Sequence, residues 1–349
     1  MVQRRRPTQS SGILLLALLI SLGSLGCAGG RRDLLTPPEA PAPPRARSVA
    51  LDSAMVGSAV QIVREMMNAE DPIRRAHAVE AIQHVPPEQA LPLLEEGIAD
   101  ADPRVRFAAT MAAGRMRLAQ LKPQFEAMAA GDSPNGQVAG VFALHRIGDT
   151  SQSHRFTEFS QSGNSLVRAN TAVALGLLGE ATAVRLLRPM QEDPDANVRL
   201  NVAEALWRLR DEDGFEALLA ASISGYSDDR VLGTLALAGP YDARAEPALH
   251  GKLTDEYVEV QLAAARGLGA LGSDRGYAVA ASRLDDRDAR RRAMAALALG
   301  EIGRLDAQPL IEPLLSDSSP DVRLAAATAT LMLAEAAGEQ PGLASERRN

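Results

Sequence analysis

The sequence predicts an all-α protein, an α-solenoid of about nine helix pairs built from a 31-residue repeat. An anchor position recurs every 31 residues without any insertion, and it carries arginine seven times and glutamine twice. An alanine or glycine follows each anchor by six places, and the alternating pattern of β-strands is absent. The anchors are Arg75, Arg106, Gln137, Arg168, Arg199, Arg230, Gln261, Arg292 and Arg323.

The residue pattern within each repeat predicts two helices, which we call the A helix and the B helix. An aspartate such as Asp102, followed by Pro103, ends one unit and is expected to cap the next A helix. The small residue six places after the anchor stands beside a large apolar one, which allows neighbouring helices to approach closely. Glycines such as Gly148 and Gly179 recur eleven places after the anchor, where the C-cap of the A helix is expected.

Both ends of the repeat array are incomplete. Residues 59–67 have the apolar pattern of a B helix with no A helix before it, and the A helix that reaches Leu333 is followed by polar residues. We therefore expect an open stack, roughly 70–80 Å long at ~8–10 Å per layer. The predicted division is a signal peptide at 1–26, a linker at 27–50, the solenoid at 51–336 and a polar tail at 337–349.

The N-terminus has the pattern of a secretory signal. Three arginines precede a short apolar run, Gly12 to Leu22, and small residues lead to Cys27, the only cysteine. The sequence SLGC at 24–27 resembles the lipobox of bacterial lipoproteins, which implies that Cys27 is lipidated and becomes the mature N-terminus. An ordinary secreted protein with an incidental cysteine is the alternative. Ala28, where aspartate would signal inner-membrane retention, favours the outer membrane over the inner one, so the predicted location is the cell envelope, facing the periplasm.

Residues 27–50, which we call the tether, are rich in proline, alanine and arginine. This composition cannot bury a core and favours extended, polyproline-like conformers. At ~3.1 Å per residue, the tether could hold the solenoid roughly 70 Å from a bilayer.

The D-P-x-V-R and A-L-G signatures resemble those of the HEAT-repeat superfamily, and in particular the short PBS-lyase HEAT-like repeats, over about residues 59–336. The resemblance implies a right-handed stack of helix pairs whose B helices line a concave face. It also implies that motif arginines reach aspartates of neighbouring units. We therefore interpret Arg106, Arg168, Arg199 and Arg323 as structural residues.

The sequence offers little sign of catalysis. The five histidines form no HExxH or other zinc-ligand spacing, and nucleophile-elbow and phosphate-binding motifs are absent. The net charge of −7 argues against a nucleic-acid partner. We therefore expect a protein that is not an enzyme and that uses no metal or other cofactor.

The predicted function is a membrane-anchored scaffold or adaptor that binds another envelope protein through its concave surface. A non-catalytic modulatory subunit of an envelope enzyme and a small-molecule or chromophore carrier are the alternatives. The candidate partner-binding residues are two arginines of the fourth unit and an acid and an exposed leucine of the fifth, because interfaces favour arginine and central apolar anchors. They are Arg185, Arg188, Glu216 and Leu219. We interpret Trp207 as a packing residue in preference to a binding anchor.

Overall fold

The structure, a computed structural model, describes residues 51–338. It confirms the predicted all-α repeat, since eighteen α-helices alternate as A and B helices within the described residues. The A helices of the nine units are α2 (Pro72–Ala81), α4 (Pro103–Arg115), α6 (Pro134–Arg146), α8 (Ser165–Leu178), α10 (Ala196–Arg208), α12 (Ser227–Leu237), α14 (Val258–Ala270), α16 (Ala289–Ile302) and α18 (Pro320–Ala336).

The B helices are shorter in most units, and short 3₁₀ turns extend several of them. Eight B helices follow their A helices directly along the chain, and the ninth, α1, precedes all of them. They are α3 (Pro87–Ile98), α5 (Lys122–Ala130), α7 (Phe156–Ser160), α9 (Val184–Leu187), α11 (Glu212–Ser222), α13 (Glu246–Lys252), α15 (Tyr277–Ala281), α17 (Gln308–Ile311) and α1 (Ser53–Met67).

The turn after the A helix uses the left-handed backbone region. Gly148, Gly179, Gly272 and Gly303 have φ between 73° and 95°, as the sequence predicts for a C-cap. The non-glycine residues with positive φ are Arg117, Arg210 and Tyr241, and all three occupy the same position, eleven places after an anchor. The repeat therefore imposes this turn even where the residue has a Cβ.

The anchor side chain closes the turn between units. Arg168 Nη1 donates to the carbonyl oxygen of Ser162 at 2.7 Å, and Gln137 Nε2 donates to that of Gly131, also at 2.7 Å. Both carbonyls lie six residues before the anchor, so glutamine can replace arginine in this role. Arg168 also reaches Asp193 of the next unit at 2.6 Å, which lowers the pKa of that carboxyl. This pairing is what the family resemblance implies.

The first and last helices of the repeat array are in contact. Helix α1 packs against α18, so the first B helix and the last A helix form the ninth pair. Near this contact, His84 Nδ1 lies 3.0 Å from Glu335 Oε2, and both side chains are 5% exposed. Arg74 Nε lies 2.9 Å from Asp321 Oδ1. The expected open stack is therefore wrong: the nine pairs form a closed ring.

The A helices form the inner wall of this ring and the B helices the outer wall. Neighbouring A helices pack closely around most of the circle and only loosely between α10 and α12, whereas adjacent B helices barely touch. In a closed ring the elements nearer the axis must lie closer together, so the A helices are inside. The implied concave face of B helices is thus corrected, since these helices lie on the convex outside.

A narrow lumen runs along the ring axis. Several buried A-helix side chains that stand one, two or five places after the anchor keep a small exposed fraction. It is 6–8% for Phe107, Met111, Val173, Leu235 and Met294. Positions three places after the anchor are less exposed, for example 0% at Ala109 and Ala295. The lumen is therefore lined mainly by apolar side chains.

Candidate functional site

The predicted arginine pair lies on the outer wall, at α9 and the 3₁₀ turn after it. Leu187 and Met190 point into the core, at 0% and 5% exposure, so Arg185 and Arg188 on the same turns point outward. Arg188 Nη2 donates to Asp211 Oδ2 at 3.0 Å, and its side chain stays 59% exposed. Arg188 is therefore oriented by the next unit, and Arg185 extends the positive surface.

The residues predicted in the fifth unit separate in the structure. Glu216 on α11 is exposed on the same outer wall as the arginines. Leu219, expected to be an exposed apolar anchor, is half-buried and packs against the cluster that contains Trp207 and Leu218. Leu219 follows the fully buried Leu218 on the same helix and therefore lies at the edge of the core. The candidate surface is thus more polar than predicted.

Trp207 is a core residue, in agreement with the interpretation from the sequence. It has no exposed area, and its indole Nε1 donates to the carbonyl oxygen of Leu237 at 2.9 Å. Its ring lies 4.5 Å from that of Phe215, and the Arg244 guanidinium lies 4.9 Å from its ring centre. These contacts fix the fifth unit against the sixth.

Charged side chains collect inside the ring near the C-terminal ends of the A helices. Glu80 lies 4.0 Å from Arg115 across the first two units, and Arg266 lies 3.6 Å from Glu301 across the seventh and eighth. Burial raises the pKa of Glu80 to about 7, against an opposing effect from Arg115. Burial also lowers the pKa of Arg115. No local pattern in the sequence predicts these pairs, because the inward direction of the A helices follows from ring closure.

The lumen has little room for a ligand between the sixth and eighth units. A cleft there is lined by Leu235, Leu262, Ala263, Arg266, Met294 and Leu297. Its free volume holds about one water molecule. A large cofactor therefore does not fit in this cleft, and the outer wall and the two rims offer the accessible surface.

Cys27, the tether and the signal peptide lie outside the described residues, as does the tail beyond residue 338. The structure therefore does not test lipidation. Within residues 51–338, no helix combines the length and the apolar character needed to span a membrane.

Comparison with known proteins places the chain in a family. The model for HEAT repeats matches residues 60–149, 153–238 and 277–337, and the chain belongs to this family. The phycocyanobilin lyase subunit alpha of Picosynechococcus sp. is 30% identical over 176 residues. That alignment covers 47% of this chain and 66% of the relative, so the chain spans slightly less than two thirds of the relative's length.

Solved structures match the chain at low identity and low TM-score. The complex of CpcE and CpcF of phycocyanin lyase from Nostoc sp. matches with 17% identity and a TM-score of 0.44, over 69% of this chain and 97% of that one. Human deoxyhypusine hydroxylase, in complex with glycerol, matches with 17% identity and a TM-score of 0.35, over 81% and 98%.

These relatives correct one expectation. We inferred from missing catalytic motifs that the chain is not an enzyme, but a relative at 30% identity is by name a subunit of a lyase. The motifs sought belong to enzymes that carry a complete active site in one chain. A repeat protein can therefore take part in catalysis as a subunit without containing these motifs, and the missing motifs do not argue against such a role for this chain.

Proposed function

We propose that the chain is a helical-repeat scaffold of the bacterial cell envelope, anchored by lipid at Cys27, that binds another envelope protein on its outer wall. The observation that carries the proposal is the outward-facing arginine pair beside an exposed acid at the fourth and fifth B helices. Arg185 and Arg188 are exposed, and Glu216 lies on the neighbouring B helix. The cleft between the sixth and eighth units is too small for a polypeptide, which supports a partner on the exposed outer wall.

Capture of the partner tests this surface. We expect Arg185→Glu combined with Arg188→Glu to reduce recovery of the partner at least tenfold in a pull-down from native membranes, read by mass spectrometry. A tenfold loss of affinity corresponds to about 1.4 kcal/mol of binding free energy, which a single cluster of interfacial charges can contribute. Arg64→Glu is the matched control, because Arg64 is exposed on another outer helix, α1. Equal recovery from both variants and the wild type would exclude this part of the outer wall.

The lipid anchor has a separate test. Cys27→Ser should move the protein from the detergent phase to the soluble fraction, or leave the precursor unprocessed, because the thiol that accepts the lipid is gone. Phase partitioning followed by intact-mass measurement distinguishes the two forms. A wild-type protein that partitions into the aqueous phase without added lipid mass would contradict the anchor.

A second candidate function is a subunit of a lyase that handles a bilin chromophore, and the phycocyanobilin lyase relative favours it. The luminal cleft between the sixth and eighth units is too small for a chromophore, so we assign a bilin to the outer wall, a rim or a surface between this chain and a partner. Visible absorption of the purified protein mixed with a bilin tests this candidate. Spectra that are simply the sum of the two components would speak against it.

A further inference from the structure

A histidine occupies a position where several units of the repeat have glycine. The residue eight places after the anchor is glycine in four units, and a Cβ added there would lie 2.6–2.8 Å from a backbone atom of the next A helix. These glycines are Gly114, Gly176, Gly269 and Gly300. In the third unit this residue is His145, near the end of α6. Packing between A helices favours a small residue at this position, so the imidazole of His145 serves other contacts.

The imidazole of His145 joins a hydroxyl group to a carboxylate. Its Nδ1 lies 2.7 Å from Ser153 Oγ, and its Nε2 lies 2.8 Å from Glu180 Oε1 in the turn of the fourth unit. A carboxylate only accepts hydrogen bonds, so Nε2 carries the proton that Glu180 accepts. In the neutral imidazole Nδ1 is then the acceptor, and the Ser153 hydroxyl donates to it. Glu180 therefore orients His145, and His145 is placed to take the hydroxyl proton of Ser153.

The turn that carries Ser153 is fixed by two further hydrogen bonds. Ser153 N donates to the carbonyl oxygen of Thr150 at 3.0 Å, and Arg155 Nη1 donates to the carbonyl oxygen of Ala129 at 2.8 Å. The His145 side chain is only 13% exposed, whereas Ser153 is half-buried. The hydroxyl group therefore lies beside a shielded base, on a residue that solvent still reaches.

A nucleophile within hydrogen-bond distance of a base, with a third group that orients the base, is the arrangement that activates a serine for covalent catalysis. We propose that Ser153, His145 and Glu180 form a site for the hydrolysis of activated acyl compounds, such as thioesters and aryl esters. The three side chains supply a nucleophile, a base and an orienting carboxylate. The substrates are therefore compounds with good leaving groups, which need the least further stabilisation in the transition state.

The acyl group passes through Ser153 in two steps. First, Ser153 Oγ bonds to the acyl carbon and its proton moves to His145 Nδ1; the bond to the leaving group then breaks, and the leaving group takes that proton. Second, water bonds to the acyl carbon and gives a proton to Nδ1, and Ser153 Oγ recovers that proton as its bond to the acyl carbon breaks. Glu180 stabilises the imidazolium between these proton transfers. The net reaction consumes one ester or thioester and one water, and it releases one acid and one alcohol or thiol.

A biotinylated fluorophosphonate, which bonds covalently to activated serines, tests the site in the full-length chain purified in detergent. We expect the label on Ser153, located by peptide mass spectrometry. Ser151 is the matched control in the same turn, because its hydroxyl donates to Asp149 Oδ1 at 2.7 Å and not to an imidazole. The protein should also hydrolyse p-nitrophenyl acetate, and Ser153→Ala should abolish this activity together with the label.

Two variants test the base and the carboxylate. His145→Gly introduces the residue that four other units carry, so the fold should persist while the labelling rate of Ser153 falls by about a hundredfold. Imidazole added to the solution should restore part of this rate, which repair of packing alone would not do. Glu180→Gln should slow labelling of the wild type but have no further effect in the His145→Gly variant, because Glu180 acts through His145. If His145→Gly lowers the melting temperature, His145→Gln, which keeps a donor for Glu180, takes its place.

Three outcomes overturn the proposal. A wild-type protein without label, or with equal label on Ser151 and Ser153, would show that Ser153 is not activated. An unchanged labelling rate in a folded His145 variant would show that the imidazole is not the base. Hydrolysis of p-nitrophenyl acetate that survives Ser153→Ala would assign that activity to another group. None of these measurements needs a partner protein, so a failed pull-down would leave them intact and the two proposals fail separately.

Discussion

Glu80 faces the inside of the ring, and its environment favours the protonated carboxyl. The side chain of Glu80 is only 16% exposed, and this burial outweighs Arg115 and the hydrogen bond that Gln83 Nε2 donates to Glu80 Oε2 at 2.7 Å, which both favour the charged form. Burial raises its pKa from 4.5 to about 7. Between these values the folded state binds more protons than the unfolded state, so the free energy of unfolding falls as the pH rises from about 4.5 to about 7. Above that range the cost of the buried charge is complete.

We therefore expect Glu80→Gln to increase the free energy of unfolding by about 2–3 kcal/mol at pH 8 and by almost nothing near pH 4. Urea denaturation of both proteins at the two pH values measures the difference. Glu96→Gln is the control, since Glu96 is exposed on α3 and should show no such pH dependence. An equal effect of Glu80→Gln at both pH values would mean that folding does not raise the pKa of Glu80.

Single residues also show what the sequence could predict. The anchor arginines and the capping glycines obey local rules that recur along the repeat array, so their roles could be predicted from spacing alone. Leu219 was misjudged because its exposure depends on how the fifth B helix rotates against Trp207, and no local rule fixes that rotation. Glu80 was missed for a similar reason, since its burial needs the whole inner wall.

At the scale of the helices, the ring depends on close approach between neighbouring A helices. Ala174 on α8 has no exposed area, and a Cβ added at Gly176, two residues later, would lie 2.8 Å from Ala205 Cα on α10. Small residues at these positions are therefore required by the spacing of the helices. The alanine that recurs six places after the anchor predicted this close approach, because each helix of a repeat protein packs only against its nearest neighbours.

Ala174→Leu should overpack the surroundings of this fully buried alanine and destabilise the protein by ~1–3 kcal/mol. Thermal or urea unfolding followed by circular dichroism gives the change. Ala181→Leu provides the matched control, because Ala181 is exposed after the same helix and has room for the larger side chain. If Ala174→Leu unfolds like the wild type, α8 has more room around Ala174 than described.

At the scale of the molecule, closure decides the shape. The sequence predicted both members of the ninth pair but left them at opposite ends of a rod or arc. Nine equal steps close a circle only if each unit rotates by roughly 40°. That rotation is the sum of many small packing angles, and no single residue encodes it. The ring is therefore the part of the fold that sequence patterns could not predict.

Ala59→Arg should open the ring. Ala59 on α1 has no exposed area and belongs to the apolar cluster that also contains Leu324 and Leu331 of α18. An arginine there cannot be buried without a partner, so α1 should detach while the other eight pairs persist. Small-angle X-ray scattering should then show a larger radius of gyration with little loss of helix content. Gln61→Arg, on the exposed side of α1, should not change the scattering curve.

The contact between α1 and α18 also sets an order of events during folding. The helices from α3 to α17 meet their main neighbours within a few dozen residues of chain, but α1 must wait for residues about 260 positions later. Closing a loop about eight times longer than one repeat costs only about 2 kcal/mol more in entropy, so the delay is kinetic rather than energetic. While the chain is being made, the apolar side of α1 stays without its partner until the final helix exists. That helix completes the ring, and it is also the last segment of the repeat array to leave the ribosome.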